Sequence, residues 1–334
     1  MNSDENKEAT VVTITSKDDE SSSLVQEEEE EEEEEDDWGL ACDFFLFAQH
    51  QAQPIWMGSS SLQQQQLEIL CVESLTPLDM VQLGAGVHDA TGHCVWTACF
   101  LWIASLSQVW PPPTAMNDND DDDTLCVLEL GSGTGLGGLA LWHYVLLQCN
   151  RHKSIHVSLT DADPEALALC RRNVAHNAHL HDNNHADDGL VAVEALVWGE
   201  PVPTHLQHAM HVILAADILY DIRLLPAICK SATDVARHDD NGATFYLAHV
   251  PRACYNADTA PDAPEKLDLE AYIVHQMTLD GFWQLHGTWR PLDLVDTWKP
   301  PTSNCINDVS LQEMQDVGAT LMVFVHNGGG GGAG

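Results

Sequence analysis

Apolar positions in this chain gather into short runs that alternate with longer stretches of helical spacing. Leu125–Leu130, His156–Thr160, Val191–Val197, Val212–Ala216 and Ala243–Ala248 have the length and β-branched content of strands. Val212–Ala216 is almost purely apolar, as expected of a strand buried on both faces. Between the runs, Leu136–Leu147, Pro164–Ala178, Leu224–Arg237 and Leu267–Thr278 read as helices, the second opened by Asp163 as cap and Pro164 at its first position. Phe282–Leu285 and Leu321–His326 read as two final strands. Upstream, Val95–Val109 predicts a helix rich in large apolar residues and stopped by Pro111–Pro113. Leu67–Val72 and Met80–Leu83 predict a short hairpin. Strands that alternate with helices imply an α/β fold with a mostly parallel sheet covered on both faces. Ligands of such sheets bind beyond the carboxyl ends of the strands, at the switch point beside the first of them.

Composition sets the limits of this folded unit. Of the 334 residues, 44% are apolar, enough for a sizeable core. The formal charge of -39 is concentrated: residues 1–37 hold 17 acids against two lysines, including the unbroken run Glu27–Asp37. Such a block repels itself and has little apolar surface to bury, so 1–37 is expected to be a disordered acidic tail. Residues 38–65 are read as a linker, 66–326 as the folded domain, and 327–334 as a glycine-rich flexible tail. An acidic surface argues against nucleic-acid binding. The most apolar stretch, Cys94–Leu106, is too short to span a bilayer, and the acidic, polar N-terminus is not expected to act as a signal peptide. The ten cysteines are scattered without a CxxC pair, which fits a reducing compartment, the cytoplasm or the nucleus.

Chemistry concentrates at the predicted strand ends. The segment LCVLELGSGTGLGG, Leu125 to Gly138, runs a strand into Glu129 and then places Gly131, Gly133 and Gly135 at every second position around Ser132. Backbone in such a loop can approach a ligand closely, because glycine has no Cβ. Asp161 follows the second strand, where a carboxylate can accept both hydroxyls of a ribose; Asp163 beside it is better placed as a helix cap. Trp198 closes the third strand and offers an indole face to an adenine. Ala216 ends the fourth strand, and Asp217 and Tyr220 follow it in DILY. A buried, unpaired carboxylate after ILAA would be costly, so Asp217 is expected at the mouth of a site, with a helix cap as its alternative.

Together ELGSGTG, LTD, WG and AADILYD resemble the class I, seven-β-strand, S-adenosylmethionine-dependent methyltransferases. More narrowly they are similar to the protein-lysine methyltransferases marked by a DxxY motif after strand four. The segment TGHCVWTACFLWIASL (Thr91–Leu106) looks like that group's lead-in helix, RRNVAHN (Arg171–Asn177) like its helix after strand two, and AHVPR (Ala248–Arg252) like the segment that often carries an arginine after strand five. The resemblance covers roughly residues 66 to 326 and implies a Rossmann-like, seven-stranded sheet. It implies S-adenosylmethionine as cofactor, held by Trp96, Gly131–Gly133, Asp161, Trp198 and Ala216, with Asp217 and Tyr220 where sulfonium and target amine meet. It further implies a protein substrate; the acidity that remains outside the two acidic tracts is compatible with a basic one, and a monomer is expected.

Other readings stay open. Gly133, Gly135 and Gly138 also satisfy GxGxxG, the dinucleotide fingerprint, although that register starts two residues late after the strand and leaves DILY unexplained. The acceptor could be arginine or histidine instead of lysine, and the fold could serve binding without catalysis. His176, His179, His181 and His185 invite a metal, but they fall in a polar Asn/Asp-rich stretch without a convergent ligand set, so no metal is expected.

Overall fold

The computed structural model describes residues 10–12, 50–57, 67–72, 91–112, 124–148, 154–180, 189–238, 242–251, 268–294 and 309–326. Their strands are β1 (Thr10–Val12), β2 (Gln51–Pro54), β3 (Glu68–Cys71), β4 (Thr124–Leu130), β5 (Ser154–Asp161), β6 (Gly189–Ala195), β7 (Val212–Ala216), β8 (Ala243–His249), β9 (Trp283–Trp289) and β10 (Thr320–His326). The helices are α1 (Thr97–Val109), α2 (Leu136–Gln148), α3 (Pro164–His176), α4 (Leu225–Val235), α5 (Leu269–Thr278) and α6 (Leu311–Asp316).

Strands β4 to β10 form a mostly parallel seven-stranded sheet in the order β6-β5-β4-β7-β8-β10-β9. Its first five strands in this order run parallel, whereas β10 pairs antiparallel with both β8 and β9. The chain leaves β4 for β5 on one side and later returns to β7 on the other, so the switch point lies at the carboxyl end of β4. This is the expected Rossmann-like arrangement.

Helices cover both faces. Helices α1, α2 and α3 pack with the β2–β3 hairpin on one face, around Trp102, Trp142, Leu125 and Val157. Helices α4 and α5 pack on the other, around Phe245, Ile213 and Phe324. Helix α1 is apolar nearly all round because it is buried nearly all round. Its Trp102 donates from Nε1 to the Gly137 carbonyl at 3.1 Å, tying α1 to the first turn of α2.

The motif RRNVAHN has a structural explanation. Asn173 and Asn177, four residues apart on one face of α3 and its C-cap, act as a hydrogen-bonding edge for β3. Asn173 Oδ1 accepts the Leu70 N–H at 2.7 Å, and its Nδ2 donates to the carbonyls of Leu70 and Thr134 at 3.1 and 2.8 Å. Asn177 repeats the pattern on Glu68, accepting at 3.0 Å and donating at 2.7 Å. Backbone groups that a sheet would pair are paired by amides instead. Asn173→Ala is expected to cost about 3 kcal/mol, because it strands buried backbone groups at both ends of the bond. A denaturation midpoint equal to that of the unchanged protein would show that this side chain does not hold the hairpin.

The structure departs from the sequence reading in two places. Thr10–Val12, inside the tail expected to be disordered, adds an antiparallel edge strand to β6. Thr10–Thr15 is an uncharged, β-branched interruption of the acidic tract, so local strand propensity outweighs the average charge there. The hairpin forms, but Gln51–Pro54 is the partner of Glu68–Cys71, which brings part of the expected linker into the fold. Met80–Leu83, the partner expected from sequence, lies outside the described residues, as do the rest of the acidic tail, the Asn/Asp insert at 117–123 and the glycine-rich C-terminus.

Candidate active site

At the carboxyl end of β4 the chain turns sharply and enters α2. Gly131 sits at φ +63°, and a Cβ on it would lie 2.7 Å from Trp198 Cζ2 and 2.8 Å from Ile218 Cγ2. Only glycine fits this position. Two ties hold the loop against the end of β5. Ser132 donates its N–H to the Thr160 carbonyl at 2.8 Å, and Gly133 donates its N–H to Asp161 Oδ2 at 2.9 Å. The remaining oxygen of Asp161 accepts the Asp163 N–H at 3.0 Å. Asp163 in turn accepts the Glu165 N–H and caps α3, the role its sequence context indicated.

The same division of labour recurs after β7. Asp221 accepts the Arg223 N–H at 2.9 Å and caps the next helical turn, Ile222–Leu224. Asp217 is thereby released from the capping alternative. It occupies the left-handed region at φ 60°, an uncommon conformation for a non-glycine residue, and its N–H donates to the Ala248 carbonyl at 2.8 Å. Its residue is buried. At both strand ends the first acid faces the cleft and the second caps a helix.

These elements enclose a cavity of about 500 Å³, within the usual range for small-molecule sites. Glu129, Gly131, Ser132 and Gly133 form its floor, Asp161 and Trp96 line it from β5 and the start of α1, and Trp198, Ala216, Asp217 and Tyr220 line it from the side of β7. Trp96 precedes α1, and its Nε1 donates to the Thr91 carbonyl at 2.9 Å, which fixes the indole beside the Gly-rich loop. Trp198 and Tyr220 face one another, ring centres 6.5 Å apart and inclined by 46°. Tyr220 is 47% exposed and marks the mouth.

Gly135 is the exception among the residues singled out from sequence. It does not line the cavity. At φ +80° it faces the core, where a Cβ would lie 2.7 Å from Cys170 Sγ and 3.1 Å from Leu159 Cδ1. Its glycine serves packing between loop and sheet, not ligand approach. The histidines likewise have local roles: His176 Nε2 meets Glu68 Oε2 at 3.0 Å and His179 Nδ1 meets the His176 carbonyl at 2.8 Å. His181, His185 and Arg252 lie outside the described residues.

Several lining residues escaped the sequence reading. Thr91, Gly92, Cys94 and Cys99 come from the lead-in segment, whose motif marked the neighbourhood without marking these positions. Gly92 is required by contact, since a Cβ on it would lie 2.9 Å from Ala166 Cβ, and its carbonyl closes on Gly133. Val197 and Leu224 add apolar surface near the mouth.

Four carboxylates line the cavity (Glu129, Asp161, Asp163 and Asp217), and no Lys, Arg or His is among the described residues that do. Burial raises the Asp161 carboxyl above the ordinary aspartate range, opposed by the N–H donors of Asp163 and Gly133. Burial also pushes Glu129 up to about 8, opposed by the Gly138 N–H and assisted by the charge of Asp161. Cys99 is held well above its ordinary value by burial and by the nearby Glu129 and Asp217, so it is a neutral thiol and no nucleophile.

A family model described as lysine methyltransferase matches residues 58–259, more than half of the chain and all of the strand ends that build this site. The chain belongs to the lysine methyltransferase family. Methyltransferase-like protein 22 of Mus musculus is 29% identical over 169 residues, 42% of this chain and 40% of that protein. Protein N-lysine methyltransferase METTL21A of Danio rerio is 33% identical over 114 residues, 34% of this chain and 45% of that protein. Protein-lysine N-methyltransferase EFM6 of Saccharomyces cerevisiae is 30% identical over 135 residues, 38% of this chain and 50% of that protein. The chain spans half or less of the length of these relatives.

Proposed function

We propose that this lysine methyltransferase family member transfers the methyl group of S-adenosylmethionine to a lysine side chain of a basic protein substrate, acting as a monomer in the cytoplasm or nucleus. The observation that carries this reading is the cavity itself. Its lining includes the glycine loop at the carboxyl end of β4 and four acidic side chains, with no cation among the described residues. A cationic donor and an acceptor that arrives as a cation are the ligands this charge pattern favours. An anionic acceptor, such as phosphate or nucleic acid, would meet repulsion from the ionised acids of the lining.

The residues present fit the donor. Asp161 retains lone pairs beyond its backbone donors and can accept ribose hydroxyls. Trp96 and Trp198 supply apolar faces for the base. When bound, the donor supplies a methyl on a positively charged sulfur. The chain's part is to orient the amine in line with that methyl and to exclude water. Free lysine, with a pKa of ~10.4, is neutral about one time in a thousand near pH 7, a handicap of roughly 4 kcal/mol. Positioning in near-attack geometry supplies roughly 7–11 kcal/mol. Asp217 orients the incoming ammonium, and Tyr220 packs at the mouth beside it. The thiols Cys99, Cys170 and Cys229 accord with a reducing compartment.

Incubation with methyl-labelled donor and a protein extract, followed by mass spectrometry of the labelled residue, tests this directly. Label on lysine is the expected result. Label on arginine or histidine would replace the acceptor, and donor binding without any transfer to protein would leave a binding module.

A further inference from the structure

Among the described residues of the β2–β3 hairpin, none lines the cavity, yet one buried side chain ties this hairpin to the glycine loop. Asn173 of α3 carries two protons on Nδ2, and each has its own carbonyl: Leu70 of β3 at 3.1 Å and Thr134 of the loop at 2.8 Å. Its Oδ1 takes the Leu70 N–H at 2.7 Å. The position calls for an amide, because aspartate would set a carboxylate against two carbonyls and leucine would leave three backbone groups unpaired. Thr134 lines the cavity next to Gly133.

A second path joins the same two elements. Val72, directly after β3, donates its N–H to the His93 carbonyl at 2.9 Å and bridges Cys94. Thr91, Gly92, Cys94 and Trp96 of this lead-in segment line the cavity, and the Thr91 carbonyl holds the Trp96 indole. The Gly92 carbonyl lies against Gly133, where a Cβ would come within 2.9 Å of it. The contacts therefore close a circuit: β3 to Asn173 to Thr134, on through Gly133 to Gly92, and back through His93 to Val72. Breaking a buried link of this kind strands polar groups, so the members shift together or not at all.

We propose that Asn173 is a positioning residue for the donor, coupling the order of the β2–β3 hairpin to the occupancy of the cavity. The inference rests on the proposed function for the identity of the ligand. Such coupling is reciprocal: if an ordered hairpin strengthens donor binding, the bound donor strengthens the hairpin by the same factor, on the order of 5–150-fold. Asn177 is the natural comparison, since it pairs with Glu68 of the same strand but has no hydrogen bond to the glycine loop.

Amide hydrogen exchange of the full chain, with and without saturating S-adenosylmethionine, reads the coupling in the unchanged protein. Exchange over residues 67–72 should slow by about tenfold beyond any slowing in α5, which packs on the other face of the sheet and reports the general gain in stability on binding. Calorimetry reads the reverse direction. Asn173→Ala should weaken S-adenosylmethionine, its demethylated product and 5′-methylthioadenosine alike by about tenfold, and raise the donor KM while kcat stays within a few-fold. Asn177→Ala should lower the denaturation midpoint comparably and leave all three affinities within about twofold. Exchange over 67–72 that slows no more than in α5, or affinities in Asn173→Ala equal to those in Asn177→Ala, overturns the proposal. Should Asn173→Ala fail to fold, the exchange result on the unchanged protein decides alone. Failure of all three nucleosides to bind the unchanged protein overturns the cofactor assignment, whereas binding without the exchange response overturns the coupling only.

Discussion

Asp217→Asn is expected to lower methyl transfer by about 10²–10⁴-fold while leaving donor affinity within a few-fold. Asparagine is the informative replacement because Asp217 sits at φ 60°, where asparagine is among the few side chains tolerated. The substitution therefore removes charge with little disturbance of backbone. What is lost is the carboxylate that steers an ammonium to the methyl and keeps it there as it sheds its proton. Steady-state rates on a protein acceptor, with calorimetry of the donor in parallel, separate the two effects. Asp217→Gly supplies a second arm. It relieves the left-handed strain, on the order of 1 kcal/mol, so its denaturation midpoint should not fall below that of the unchanged protein even though transfer is lost. Strain retained at a residue of this kind is consistent with selection for chemistry over stability. Transfer at the original rate in Asp217→Asn would remove this residue from the mechanism.

What could be read from the chain alone was whatever depends on local order. The run Leu125–Leu130 ending in Glu129 and glycines, and the acids that close β5 and β7, follow one another within a few residues. Their relation to a sheet edge is set by the alternation of strand and helix. Asp161 and Asp163 were separable in sequence for the same reason: only one of them precedes a proline at a helix start. Contacts made across long separations were not legible. Nothing adjacent to Gln51–Pro54 says that it pairs with Glu68–Cys71, and nothing in RRNVAHN says that its asparagines, about a hundred residues downstream, serve as that hairpin's second edge. Gly135 looked like its neighbours because spacing reports that a glycine is needed, not which side of the loop lacks room. Cys99 on α1 and Gly92 in the turn before it line the site through tertiary packing, which no window of sequence contains. Glu129 was visible as a carboxylate, but its protonation depends on burial that only the packed structure provides.

Asp161→Ala is expected to weaken donor binding by about 10²-fold or more, since charge-assisted hydrogen bonds to two ribose hydroxyls are each worth roughly 1.5–3 kcal/mol. The loss has a second source. The same carboxylate receives the Gly133 and Asp163 N–H groups, so its removal also frees the glycine loop from the end of β5. These two contributions can be told apart. Asp161→Asn keeps one oxygen for the loop but turns an N–H₂ toward the other partner, so it should recover part of the thermal stability lost in Asp161→Ala and little of the affinity. Because a ribose is common to donor, product and methylthioadenosine, the affinity loss should be similar for all three. That pattern is opposite in kind to Asp217, whose effect follows turnover and not binding. Two acids, at the ends of the strands that flank β4, would then answer to two parts of one reaction: the sugar and the arriving amine. Unchanged affinity for all three nucleosides in Asp161→Asn would mean that the ribose is held elsewhere, and that the carboxylate at the end of β5 serves only to fasten the loop.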